Sequence, residues 1–142
     1  MVPSMQKVRL VLDSNAFHHR EFLAWLRKRS EINVDVPIIA YVEIYLRSLR
    51  RSLVKELEII LLGIRASITP LEKTIGERAV GEAVKNPKLP FKYHARDFLI
   101  GATALQQEAI LVTQNKRHFR WMKEFVRSPD EIMRELPMDR EG

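Results

Sequence analysis

Short apolar runs along the chain alternate with longer stretches in which apolar residues recur every three or four positions. Short runs are typical of buried strands, and the longer period is typical of helices with one apolar face. The clearest strand candidates are residues 8–12 and 109–113, and each of them is followed by polar side chains. Further strands are expected at residues 64–68 and 124–127, and residues 34–37 form either a strand or a connector.

Helices are expected between these runs, at residues 19–29, 52–62, 71–83, 96–108 and 116–122. Another helix opens at Pro37, since proline suits the first turn, and its apolar residues step by three and four. This amphipathic stripe consists of Ile39, Val42, Leu46, Leu49 and Leu53.

Glycine, serine and proline mark the expected ends of several elements. Gly63 is placed to cap the C-terminus of the helix at 52–62, while Ser128 caps and Pro129 opens a final helix. Two prolines within residues 86–92 predict a loop. The helix at 96–108 is rich in small residues such as Gly101, which permits close packing on a sheet.

The alternation of strands and helices predicts a three-layer α/β/α domain with a central parallel sheet of about four to five strands. A chain of 142 residues has the length of one ordinary domain, so we expect a single domain over residues 1–142. Its 46% hydrophobic and 30% charged residues are those of a folded protein and exclude a disordered chain.

The composition also limits the cellular setting. The chain has no cysteine, which excludes disulfides and thiolate ligation of zinc and favours a cytoplasmic protein. The N-terminal residues lack the pattern of a secretory signal, and no segment reaches the roughly 18 apolar residues of a membrane span, so no membrane association is expected. A net charge of +6 favours polyanionic partners, although it suits plain solubility as well.

Four polar residues stand where an α/β sheet usually carries chemistry. Asp13 directly follows the first strand, and ligands collect at the carboxyl ends of parallel strands. Glu43 interrupts an almost wholly apolar stretch, where a lone buried carboxylate is costly. Asp97 stands at the start of the small-residue helix, and Asn115 follows the strand at 109–113.

Each of these residues also has an ordinary structural interpretation, as a helix cap, an exposed helix edge, a charge near a helix N-terminus or a turn residue. Their positions, however, predict that they converge at one edge of the sheet. Three carboxylates brought together repel one another unless a cation offsets their charge. Oxygen ligands without cysteine or paired histidines favour Mg²⁺ or Mn²⁺ over zinc.

Four segments resemble, in order and over nearly the whole chain, the motifs of PIN-domain nucleases, and those of the VapC-like toxin ribonucleases in particular. They are V-L-D-S-N at residues 11–15, A-Y-V-E-I at 40–44, A-R-D-F-L-I-G-A-T-A-L at 95–105 and L-V-T-Q-N-K-R-H-F at 111–119. The last two segments together are the most specific part of the resemblance.

The resemblance implies a PIN-like fold in which Asp13, Glu43 and Asp97 hold divalent metal and Asn115 takes the fourth position, where the family has Asp or Asn. It implies an Mg²⁺- or Mn²⁺-dependent endoribonuclease that cuts RNA phosphodiester bonds by metal-activated water. Because Asn115 leaves only three formal negative charges, we expect one metal in the free protein. The supporting polar neighbours would be Ser14, Asn15 and Thr113.

The resemblance also implies partners: an RNA substrate, a small antitoxin protein if the chain is the toxin of a toxin–antitoxin pair, and a second copy in a homodimer. We expect the basic side chains near the site to hold RNA phosphates, namely Arg20, Arg47, Lys116, Arg117 and Arg120. Exposed aromatic residues are candidates for the dimer contact, namely Tyr41, Tyr45 and Trp121.

Three other functions are compatible with a chain of this pattern. A PIN nuclease in RNA maturation or turnover, and a catalytically silent PIN-like module for RNA binding or assembly, both stay open. A receiver-like phosphoacceptor domain is disfavoured, because it requires an acidic pair where this chain has Leu12 and Asp13.

Overall fold

The computed structural model describes residues 8–137, and a five-stranded sheet lies at its centre. In chain order the strands are β1 (Arg9–Leu12), β2 (Asn33–Pro37), β3 (Ser67–Thr69), β4 (Ile110–Val112) and β5 (Val126–Arg127). Their order across the sheet is β3-β2-β1-β4-β5, and every neighbouring pair is parallel. All carboxyl ends therefore meet at one edge of the sheet.

Helices cover both faces of the sheet, which confirms the predicted three-layer α/β/α architecture. They are α1 (Arg20–Arg27), α2 (Ile38–Arg50), α3 (Val54–Gly63), α4 (Lys73–Val84), α5 (Phe91–Gln106) and α6 (Pro129–Glu135). Two 3-10 helices, Ser14–His18 and Lys116–Phe125, follow β1 and β4. Among the described helices, none combines the length and apolarity that crossing a membrane requires.

The central strand β1 is an apolar run because it is covered from both sides. Leu10, Val11 and Leu12 are all fully buried, and the strand pairs with β2 on one side and with β4 on the other. A strand buried on both faces reads as a continuous apolar segment and not as an alternating one. The chain continues from this strand directly into Asp13, so a fully buried strand that is paired on both sides positions the first acid.

Several element boundaries differ from the expected ones. The helix expected at 96–108 begins at Phe91, after Pro90, and its backbone departs from helical geometry at His94 (φ −125°, ψ 19°). The strand expected at 64–68 begins at Ser67, and the helix expected at 116–122 is a 3-10 helix that extends to Phe125. The kink at His94 separates the first residues of this helix, which follow the proline-rich segment, from the regular helix behind it.

The expectation that Gly63 caps a helix is wrong. Gly63 is the last residue of α3, Ile64 is its C-cap, and the left-handed residue is Arg65 (φ 58°). The guanidinium of Arg65 donates hydrogen bonds of 2.9 Å to the carbonyls of Leu26 and Arg29, at the end of α1. These hydrogen bonds hold a non-glycine residue in the conformation that glycine normally adopts.

The predicted N-terminal cap of the final helix is confirmed. The Ser128 hydroxyl accepts from the backbone N–H of Glu131, the Glu131 carboxylate accepts from the Ser128 N–H, and Pro129 occupies the first turn of α6. The expectations about the N-terminal segment concern residues 1–7, which lie outside the described residues.

The apolar stripe of α2 lies largely at the surface. Val42, Leu46, Leu49 and Leu53 are between 41% and 56% exposed, whereas Ala40 and Ile44 are the residues of α2 that enter the core. The periodicity therefore predicted a helix correctly, but its widest apolar face does not pack on the sheet. We call Val42, Leu46 and Leu49, together with Leu53 just beyond the end of the helix, the α2 stripe.

Candidate active site

An open cleft of about 530 Å³ lies at the carboxyl edge of the sheet, and all four predicted site residues line it. Asp13 enters it from the end of β1, Glu43 from α2, Asp97 from α5 behind the kink at His94, and Asn115 from the loop after β4. Residues up to about 100 positions apart thus meet because parallel strands end at the same edge.

Asp13 is the most constrained of the acids. Its side chain is 1% exposed, and its backbone N–H donates to the carbonyl of Val112 across the sheet (3.0 Å). Its Oδ1 accepts from the Ser14 N–H (2.8 Å), and its Oδ2 accepts from the Thr113 hydroxyl (2.8 Å). A buried carboxylate is tolerable only with such partners, so Asp13 is held in one orientation.

The side chain of Arg96 lies between the three acids. Its Nη2 is 2.6 Å from Asp13 Oδ1 and 2.7 Å from Glu43 Oε1, and its Nε is 2.7 Å from Glu43 Oε2. Its Nη1 is 2.8 Å from Asp97 Oδ1. One guanidinium therefore bridges carboxylates from three separate elements.

The close contacts shift the pKa of Glu43 and that of Arg96 so that each favours its charged form. The hydrogen bond from Arg96 holds the pKa of Glu43 below its ordinary value, although burial opposes this. Burial disfavours the charge of Arg96, but its hydrogen bonds to Glu43 and Asp13 outweigh burial and raise the pKa of the guanidinium. Glu43 and Arg96 are thus both charged at neutral pH.

The loop after β4 is tied to the loop after β1. Asn15 Oδ1 accepts from the backbone N–H of Gln114 (2.9 Å), and Gln114 Nε2 donates to the Asn15 carbonyl (2.7 Å). The Thr113 hydroxyl, which holds Asp13, also accepts from the Asn115 N–H (3.0 Å). The polar neighbours expected from the sequence therefore act by fixing the position of Asp13 and Asn115.

Three histidines, His18, His94 and His118, line the cleft, and two of them lie near charged side chains. His118 Nδ1 is 3.6 Å from Asp97 Oδ2, and His18 lies against the guanidinium of Arg47. Burial, together with the charges of Arg47 and Arg51, lowers the pKa of His18. His18 is therefore neutral at pH 7.

The oxygen donors of the cleft suit Mg²⁺ or Mn²⁺, because carboxylates from three elements already surround one positively charged group. The three carboxylates are spaced around the planar guanidinium of Arg96, which each of them bonds. Over residues 8–137, no three acidic or histidine side chains stand close enough together to hold a metal ion. The donor chemistry fits the metal, whereas the space between the donors is taken by Arg96.

The sequence pattern did not single out Arg96, His18 or His118. Arg96 directly precedes Asp97, and in a chain with 24 lysines and arginines a basic residue at the start of a helix gives no signal by itself. Trp121, which was expected at an exposed dimer contact, is half-buried and packs on Phe98 with 4.8 Å between ring centroids. Tyr45 is 38% exposed, and the homodimer stays a prediction.

Solved structures with this fold were found. A chain of a toxin–antitoxin complex from Klebsiella pneumoniae is similar with a TM-score of 0.66 and 18% identity, over 84% of this chain and 97% of that chain. The chain has a PIN-like fold. The fold that the four motifs imply is thereby confirmed.

Two further structures share this PIN-like fold. VapBC-1 from nontypeable Haemophilus influenzae is similar with a TM-score of 0.64 and 17% identity, over 87% of this chain and 99% of that chain. FitAcB from Neisseria gonorrhoeae is similar with a TM-score of 0.61 and 22% identity, over 84% of this chain and 97% of that chain. No protein-family model and no curated protein sequence matches the chain.

Proposed function

We propose that this protein is a metal-dependent endoribonuclease and the toxin of a toxin–antitoxin pair. The observation that carries the proposal is the convergence of Asp13, Glu43 and Asp97 on a single cationic group at the carboxyl edge of a parallel sheet. Three carboxylates gathered in one cleft suit a site that works with a divalent cation.

Asp13, Glu43 and Asp97 would hold Mg²⁺ or Mn²⁺, with Asn115 as a neutral fourth donor at the same cleft. When bound, the cation would supply a nucleophile at neutral pH and neutralise charge on the phosphate oxygens. The chain's own contribution is rigidity. The Thr113 hydroxyl and the Ser14 N–H hold the Asp13 carboxylate in place. This matters because even a small displacement of a catalytic group slows a reaction strongly.

Basic side chains support RNA as the substrate. Arg47 lines the cleft itself, and a neighbouring groove of about 570 Å³ is lined by five basic residues, Lys116, Arg117, Arg120, Lys123 and Arg127, and by two acids. The acids are Glu131, which pairs with Lys116, and Glu135, which pairs with Arg127, so that Arg117, Arg120 and Lys123 are the cations left to meet a phosphate. A phosphodiester chain that crosses the cleft would be held by this groove on one side. Arg20, which was also expected near the site, borders a separate depression with Arg47.

The α2 stripe supports the second half of the proposal, a protein partner. Val42, Leu46 and Leu49 are exposed at helical spacing on α2, and Leu53 is exposed just beyond the end of this helix. Grouped exposed apolar side chains of this kind mark interaction surfaces. One of the similar structures is titled a toxin–antitoxin complex. We therefore take the occupant of the α2 stripe to be an antitoxin protein that presents an apolar segment.

Cleavage of RNA by the purified full-length chain tests the enzymatic half. With Mg²⁺ or Mn²⁺ we expect cleavage of an RNA substrate, and a chelator should stop it. Asp13→Asn and Asp97→Asn should each lower the rate by at least about a hundredfold, since each removes a charge from the cation site. The readout is the initial rate of cleavage on a denaturing gel.

The matched control is Glu58→Gln, an exposed acid of α3 outside the cleft, which should cleave at the parental rate. Circular dichroism of each variant shows whether the fold survives the substitution. Parental rates in Asp13→Asn and Asp97→Asn would show that the assigned acids are not the active site.

A further inference from the structure

The position of Arg96 excludes a metal from its expected place. Its guanidinium bonds both oxygens of Glu43, Oδ1 of Asp13 and Oδ1 of Asp97, all at 2.6 to 2.8 Å. These oxygens belong to the three acids that would hold the metal. A cation cannot lie between them while the guanidinium remains there, because both would occupy the same space.

The contact is a part of the site and not a chance surface pair. Arg96 directly precedes Asp97 on α5, its side chain is 36% exposed, and it adds a hydrogen bond to the Ser14 hydroxyl (3.2 Å). Its charge offsets one of three negative charges. The residual formal charge of the cluster is thus −2, which still attracts a divalent cation.

We infer that Arg96 is an internal counter-ion that competes with the divalent metal for Asp13, Glu43 and Asp97. Metal then binds only when the Arg96 side chain turns out of the cleft. The free protein keeps its acids assembled without metal, at the cost of a lower metal affinity. This inference rests on the proposed function, because it concerns the metal site of the same cleft.

The open cleft gives the displaced side chain room to leave. Arg96 lines the cleft together with Tyr93 and His94, at the kinked start of α5. A guanidinium pairs with two phosphate oxygens through two N–H donors, so a phosphate of the substrate is a suitable partner for the displaced side chain. Entry of the metal and of the substrate would therefore favour each other.

Binding of Mn²⁺ to the full-length chain tests the inference, with the free ion followed by electron paramagnetic resonance. Arg96→Met keeps an unbranched side chain but removes the charge, and it should bind Mn²⁺ at least about tenfold more tightly than the parent. Arg96→Lys keeps the charge but loses the fork of donors, and its affinity should lie between the two.

The matched control is Arg47→Met, which removes one positive charge from the same cleft at a side chain that contacts His18 and not the acids. Its Mn²⁺ affinity should rise by less than about threefold, as expected for a general effect of charge. An equal gain in Arg47→Met and Arg96→Met would overturn the inference. So would an Arg96→Met or Arg96→Lys affinity at or below the parental one.

Thermal unfolding provides a second measurement that does not depend on activity. In chelator, Arg96→Met should unfold at a lower temperature than the parent, because its three carboxylates lack a counter-ion. Added Mn²⁺ should raise its Tm by more than it raises that of the parent. If Arg96→Met fails to fold without metal, Arg96→Lys carries the same comparison, and an equal response to Mn²⁺ in Arg96→Lys and the parent contradicts the inference.

The two proposals fail in different ways. Tighter Mn²⁺ binding by Arg96→Met, without RNA cleavage by the parent or any variant, would support the counter-ion role of Arg96 and contradict the proposed nuclease activity. RNA cleavage by the parent, together with an unchanged Mn²⁺ affinity in both Arg96 variants, would support the proposed nuclease activity and contradict the counter-ion role of Arg96.

Discussion

At the scale of single residues, two acids differ in how their carboxylates are stabilised: Asp13 directly follows β1, and Asp35 lies within β2. Asp13 has hydrogen-bond donors for both carboxylate oxygens, as a buried acid at a functional site requires. Asp35 lies in the middle of β2, in register with Val11 on one side and Ser67 on the other. Burial raises the pKa of Asp35, and the charge of Arg9 only partly offsets this.

The raised pKa of Asp35 predicts that Asp35→Asn stabilises the protein at neutral pH. Since the folded pKa lies above the unfolded value of 3.8, the folded state binds the proton more tightly, and stability falls as pH rises through this window. The loss of stability caused by burying the charged Asp35 carboxylate is complete at about pH 7 and absent below the unfolded pKa. Asparagine has no charge to bury, so its advantage should follow the same window.

The measurement is the urea unfolding midpoint of the parent and Asp35→Asn as a function of pH. The variant should have the higher midpoint at neutral pH, and the two curves should approach each other on acidification. A difference that is constant across the pH range would show that Asp35 acts through packing and not through its charge.

The site residues divide into those that a sequence can indicate and those that it cannot. Asp13 and Asn115 follow strands, and Glu43 breaks an apolar stretch, so their positions along the chain carried the signal. Arg96 gave no such signal, because its importance comes from contacts with residues 53 and 83 positions away. Only the folded topology brings these partners to it.

At the scale of elements, α5 depends on a residue without a side chain. A Cβ at Gly101 would lie 2.5 Å from Trp121 Cη2 and 2.9 Å from Met122 Sδ, which is closer than atoms approach. The absent side chain lets the Lys116–Phe125 3-10 helix pack directly on α5. The small residues of the sequence were expected to permit close packing on a sheet, and at Gly101 the close partner is this 3-10 helix.

Gly101→Ala should therefore destabilise the protein by about 1–3 kcal/mol, because the Trp121 ring, held against Phe98, must move. Gly81→Ala on the exposed face of α4 is the matched substitution. It meets no atom within 4 Å and should stabilise by up to about 1 kcal/mol through helix propensity. Urea unfolding measures both, and a shift of the same sign in the two variants would contradict this account.

Element boundaries were harder to predict than element types, for physical reasons. The start of α5 was missed because the two prolines within residues 86–92 predicted a loop, whereas the helix begins directly after Pro90 and kinks at His94 before it continues. The C-terminus of α3 was assigned to Gly63 by local propensity, but hydrogen bonds from Arg65 to α1 hold Arg65 itself in the left-handed conformation. At Arg65, tertiary contacts override local preference.

At the scale of the whole molecule, the parallel sheet explains why distant motifs form one site. The strand order places β1 between β2 and β4, so the loop after β1 lies beside the loop after β4. The hydrogen bonds between Asn15 and Gln114 join these loops. The predicted sheet therefore sufficed to predict convergence of the acids, whereas it was silent about which helix faces remain exposed.

The exposed α2 stripe leads to the last prediction, which concerns the partner. If the chain is a toxin, its expression alone should arrest growth, and co-expression with the product of a neighbouring short reading frame should restore growth. Leu46→Asp together with Leu49→Asp should abolish this rescue while arrest persists, because two buried carboxylates at an apolar interface are strongly unfavourable. The paired readouts are growth and co-purification of the partner.

Val80→Asp is the control for these substitutions, since Val80 is 48% exposed on α4 and lies outside the α2 stripe. It should leave both arrest and rescue unchanged. Rescue that survives in the Leu46 and Leu49 double variant would mean that the antitoxin binds another surface. Harmless expression of an active nuclease would separate the two halves of the proposed function, because the cleft would then serve RNA maturation or turnover and the α2 stripe would contact a different protein.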